Sequence, residues 1–66
     1  MFPNLRAELA RRDITTSALA VVLNTSPIIV ERKLSGKKVL GVLEAKAIRD
    51  FIDPSYTLEY LFATKV

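Results

Sequence analysis

The segment Leu23-Asn24-Thr25-Ser26-Pro27 sets a helix stop directly against a helix start and leaves the backbone few alternatives. Asn is the commonest substitute for Gly where a helix ends in a left-handed residue. Ser26 can accept a hydrogen bond from a backbone N–H of the following turn. Pro27 then suits a first helical position, because its φ is already fixed and the N–H it lacks would have had no partner there. Upstream, Thr15 is a second N-cap, and Leu19 and Leu23 share one helix face. Downstream, Gly36 can close a helix running from Pro27 to Ser35. The stretch Ile14–Lys37 is therefore expected to form two short helices joined by a tight turn, crossing at roughly 90–120°.

The remaining residues read as support for that pair. Phe2, Leu5 and Leu9 recur at helical spacing behind Pro3, predicting a first helix from about residue 3 to 12, with Arg6, Glu8 and Arg11 outward and Asp13 ending it. After Gly36, Leu40 is expected to anchor a loop, with Gly41 as a weak N-cap for a helix over Val42–Ile52. Val42, Ala45, Ile48 and Ile52 gather on one arc of that helix, and Pro54 stops it. Thr57 caps a short last helix over Leu58–Phe62, with Glu59 in the first turn, where a negative charge suits the dipole. The expected fold class is all-α, a compact five-helix arrangement in one domain spanning residues 1–66, without strands, repeats or linkers.

A chain of 66 residues is near the size at which one core is only marginally sufficient. It has no cysteine and no histidine, so disulfides and the common zinc patterns are excluded, and apolar packing or self-association is the expected source of extra stability. Half the residues are apolar, yet no run approaches a membrane span, and the N-terminal segment lacks a signal-peptide core. A cytoplasmic location is expected. Catalysis is not, because there is no imidazole or thiol, and Ser17, Ser26 and Ser35 have no adjacent activating base. Asp50 and Asp53 can share a helix end, which a solvated surface explains better than acid–base work. Two glycines cannot build a phosphate-cradling loop. No catalytic residue, metal ligand or cofactor is assigned.

The surface of the second motif helix carries the functional signal. With Val30 at the centre of the buried face, Leu34 falls about 40° to one side and Lys33 about 60° to the other. Ile28, Arg32 and Ser35 then point outward. A water-facing line usually carries charge, so an isoleucine there marks a contact surface. Arg32 has the planar fork that pairs with both acceptors of a guanine edge, and Ile28 can meet a thymine methyl. The backbone N–H groups near Thr16 and Ser17, together with Ser26, Lys37 and Lys38, suit phosphates. A net charge of +3 is a mild excess, but Arg32, Lys33, Lys37 and Lys38 concentrate it at one end of this helix. Such a cluster serves either a solvated turn or a phosphate-facing surface.

These features resemble the lambda-repressor-like helix-turn-helix family of Cro, phage repressors and XRE-type regulators. The matching residues are Ile14-Thr15, Leu19-Ala20, Leu23-Asn24-Thr25-Ser26, Val30 and Leu34-Ser35-Gly36-Lys37, followed by Leu58-Glu59-Tyr60-Leu61-Phe62 after Thr57. The resemblance spans nearly the whole chain and implies operator binding as a homodimer and regulation of transcription. It places Thr16, Ser17, Ser26, Pro27, Ile28, Arg32, Ser35, Lys37 and Lys38 against double-stranded DNA. The apolar C-terminal residues Tyr60, Leu61, Phe62 and Val66 are the expected dimer contact. The chain departs from the family's pattern at Thr16, where Gln is usual, and at Pro27, Ile28 and Ile29, where polar readers are usual. Val21, Val39 and Leu43 are also apolar where the family is polar. These departures keep open a rival role, a protein-interaction module such as an antirepressor or inhibitor that binds its partner through Ile28, Ile29 and Val21.

Overall fold

In a computed structural model, which describes residues 1–64, the chain forms α1 (Pro3–Arg11), α2 (Thr16–Leu23), α3 (Pro27–Leu34), α4 (Val42–Ile52) and α5 (Leu58–Leu61). No strand occurs among these residues. The expected order of helices is therefore observed, with α1, α3 and α5 each closing one residue earlier than the sequence suggested. Val66 lies outside the described residues.

The first three helices end by one device. Asp13, Asn24 and Gly36 take φ values of 60°, 56° and 84°. In each case the next residue turns its N–H back onto the helix: Ile14 to the Leu9 carbonyl at 2.9 Å, Thr25 to Ala20 at 2.9 Å, and Lys37 to Arg32 at 2.8 Å. These are Schellman closures, which satisfy carbonyls the helix would otherwise leave unpaired. The helix starts are equally local. Thr15, Ser26 and Thr57 accept from the N–H groups of Ala18, Ile29 and Tyr60 at 3.2, 3.4 and 3.1 Å. Gly41 has no side chain to offer, and its own N–H donates instead to the Glu44 carboxylate at 2.9 Å.

Helix α2 packs against α3 and α4, while α5 packs against α1 and α4. The shared core is Leu5, Leu9, Leu19, Ala20, Val30, Leu34, Ile48 and Leu61, with Phe2, Ile14, Leu23, Leu40, Ile52, Tyr56 and Phe62 around it. The Cα radius of gyration is 10.6 Å, against about 10.8 Å for a compact chain of this length. The chain is therefore about as compact as its length predicts.

Two facing assignments need correction. Val42 was expected on the buried arc of α4, but it is 67% exposed. It lies about 120° from Ile48, outside the arc that meets the core. Glu8 was expected outward, but it is the one buried charged residue among those described, 1% exposed. Its carboxylate accepts from Arg11 at 2.9 Å, from the Tyr60 hydroxyl at 2.9 Å, from the Tyr56 hydroxyl at 3.1 Å, and from Arg12. Arg12 also donates to the Tyr56 oxygen at 3.1 Å and lies over that ring, 5.3 Å from its centroid. A buried carboxylate is tolerated only when paired and hydrogen-bonded in this way. The network joins α1 to α5 and to the loop before it. Arg12 foremost, then Tyr60, hold the Glu8 carboxyl down to about 2.

Candidate nucleic-acid interface

Helix α3 presents the faces its sequence implies. Val30 and Leu34 are buried, Lys33 and Ile29 are half-buried, and Pro27, Ile28, Arg32 and Ser35 are exposed, Ile28 by 66%. The Ser35 hydroxyl is partly committed, because it donates to the Glu31 carbonyl at 2.7 Å.

The basic residues divide sharply. Among the described residues, Arg6 pairs with Glu31, Arg11 and Arg12 with Glu8, Lys33 with Glu44, and Arg49 with Asp50. Lys33, which the sequence grouped with the basic end of the helix, is thus tied to α4. That cation foremost, then the Gly41 N–H, lowers the Glu44 carboxyl. Arg32, Lys37, Lys38 and Lys46 form no ion pair among the described residues. Three of these four cations sit together for a backbone reason. The N–H groups of Lys37 and Lys38 both donate to the Arg32 carbonyl, at 2.8 and 3.2 Å. Gly36 permits this fold-back through its positive φ. The closure of α3 therefore gathers three uncommitted cations at one end of an exposed helix.

At the start of α2, Thr16 is half-buried and Ser17 exposed. Thr15 satisfies only the Ala18 N–H, so the N–H groups of Thr16 and Ser17 have no partner among the described residues. Such donors at a helix N-terminus suit an anionic oxygen. Ser26 is exposed and uses its oxygen as the α3 cap. The arrangement offers cations at the end of α3 and free N–H donors at the start of α2, with an exposed isoleucine on the α3 surface.

The C-terminal segment is placed differently from its expected role. Leu61 is fully buried and has no surface to give a partner; it is core because α5 closes over α1 and α4. The Phe62 ring is half-buried and stands edge-on against Phe2, with centroids 5.4 Å apart. Tyr60 is 41% exposed, but its hydroxyl is engaged with Glu8 and its carbonyl accepts from Asn4 at 2.8 Å. The other large exposed apolar residues lie elsewhere: Met1, Val21, Ile28, Val39, Val42, Leu43 and Phe51. Phe51 was not singled out in the sequence, although it falls about 60° from Ile48 on the α4 wheel, at the margin of the buried arc.

Among the described residues there is no pocket and no cluster of three or more potential metal ligands. Among the described residues no helix is long and apolar enough to cross a membrane. Fold and surface together define a small, all-helical chain with a basic, partly apolar helix face. Compared with protein-family models, curated proteins and solved structures, the chain matches none of them.

Proposed function

We propose that the chain is a lambda-repressor-like helix-turn-helix regulator that binds duplex DNA as a homodimer, with α3 entering the major groove, and that it catalyses no reaction. The observation that carries this reading is the group of uncommitted cations, Arg32, Lys37 and Lys38, at the end of exposed α3. In this reading Arg32 and Ile28 meet base edges. Lys37, Lys38, Ser26 and the N-terminal N–H groups of α2 hold phosphates. Arg32→Ala should cost about 1–3 kcal/mol and relax preference at one base pair, whereas Lys37→Ala should weaken all sequences alike. Fluorescence anisotropy with random duplexes, beside duplexes from the DNA flanking the protein's own gene, tests this. Equal and small effects of both substitutions would count against groove reading.

The exposure of Ile28 and of Val21, 66% and 81%, favours a second reading. Here the same face docks on another protein through Ile28, Ile29 and Val21. Burying Ile28 fully would then contribute up to about 1.5–3 kcal/mol, half-buried Ile29 would add less, and salt would matter little. Ile28→Ser would be the damaging change and Arg32→Ala nearly silent.

A further inference from the structure

Helix α4 carries an apolar strip along one flank of its core-facing Ile48. Leu43 is 80% exposed and Phe51 48%, with half-buried Ala47 between them. Residues four apart advance by about 40° round a helix, so the three form one continuous, slightly slanted line. Just before it, Val39 and Val42 are exposed as well, by 89% and 67%. Among the described residues, four of the eight large exposed apolar residues therefore fall between residues 39 and 51. Clustering of this kind marks a contact surface, where scattered exposure would not.

One edge of the strip is charged. Lys46 and Asp50 stand one turn apart there, both exposed, and Lys46 has no ion pair among the described residues. Asp50 touches its neighbour Arg49 at 2.9 Å, but its side chain keeps 57% of its surface open. This order of charges is self-complementary. When two copies of the helix pack antiparallel about a two-fold axis, the same edge of each helix faces its counterpart, and positions before the centre meet positions after it. Leu43 then meets the partner's Phe51, the two Ala47 residues allow close approach, and each Lys46 faces the partner's Asp50.

We infer that the strip Leu43–Ala47–Phe51 of α4 is the surface on which a second copy of this chain docks, in an antiparallel two-fold pair closed by Lys46–Asp50 contacts. This deepens the homodimer part of the proposed function and moves the contact from the C-terminal segment to α4. Its size sets its strength. A standard interface takes about 800 Å² from each partner, which is about a fifth of the 4204 Å² that the fold exposes. The helix has 11 residues, or about 16 Å of length, so the strip alone covers less than that area. The dimer is accordingly weak and concentration-dependent.

Sedimentation equilibrium of the full chain without DNA, from low to high micromolar concentration, tests the assignment independently of DNA binding. Self-association should appear in that range. Leu43→Glu should raise its dissociation constant about tenfold or more while leaving the helical circular dichroism and the thermal midpoint nearly unchanged, because the residue is exposed and an acid in a first turn suits the helix dipole. Lys46→Asp and Asp50→Lys should each weaken the dimer, and the double exchange Lys46→Asp/Asp50→Lys should recover it. Three results would overturn the assignment: a chain monomeric throughout, a dimer indifferent to Leu43→Glu, or a charge exchange that fails to recover association. A monomer that still binds duplex DNA would sink the α4 interface and leave DNA binding standing; a dimer of this kind without DNA affinity would do the reverse.

Discussion

Leu19→Ala is the substitution that most directly probes how the helix pair is held. Leu19 lies in the middle of α2, fully buried, on the helix that packs against both α3 and α4. The change removes three carbon groups, at about 0.8 kcal/mol for each buried one, or about 2.4 kcal/mol of lost transfer energy. A surrounding core that relaxes only partly adds a cavity cost and brings the total into the range of about 2–5 kcal/mol. A chain of 66 residues has about 3–10 kcal/mol of stability in all, so the variant should be severely weakened or unfolded. Urea unfolding followed by circular dichroism is the assay. Val21→Ala on the same helix is the control: Val21 is 81% exposed, and its loss should move stability by less than about 0.5 kcal/mol. A loss under about 1 kcal/mol for Leu19→Ala, or an equal loss for Val21→Ala, would refute the assigned faces of α2.

Further expectations concern the parts that lock this pair in place. The Glu8 carboxyl is held near 2, below its ordinary 4.5, chiefly by Arg12 and Tyr60. Its stabilisation is therefore complete above about pH 4.5 and is lost as pH falls toward 2. Glu8→Gln should lower the melting temperature at neutral pH and flatten the acid side of the stability curve, and an unchanged acid side in melts run from pH 7 to 2 would contradict the network. Asn24, at φ 56°, should accept Gly with little change and lose about 1–2 kcal/mol on replacement by Ala; equal unfolding midpoints for the two variants would mean that the left-handed closure is not what ends α2.

The helix order was legible because its signals are local. Asp13, Asn24 and Gly36 stop helices within a residue or two, and Thr15, Ser26 and Thr57 start them, so no tertiary knowledge was needed. The outward line of α3 was equally readable from the 100° step. What escaped depended on partners distant in sequence. Glu8 lies about 60° from Leu5 on the α1 wheel, which places it at the inner margin. Tyr56 and Tyr60 bring the two hydroxyls that make its burial tolerable, with Arg12 one turn further on, just past the end of α1. The pairing of Lys33 with Glu44 likewise required α3 and α4 to be set side by side. Leu61 was misread for a related reason: an apolar C-terminal run looks like spare surface until α5 is folded back onto α1.

Duplex-DNA affinity measured across salt concentration tests the central functional claim most directly. Lys37 and Lys38 on phosphates in each of two copies give four neutralised charges, so the logarithm of the binding constant should fall with the logarithm of salt at a slope of about −3.6. Lys37→Ala should make that slope shallower by about two units in the dimer, one for each copy. Arg32→Ala should leave the slope nearly unchanged while removing preference at one base pair of each half-site. A flat salt response, with Arg32→Ala silent and Ile28→Ser abolishing attachment to a protein partner, would contradict the DNA-binding account.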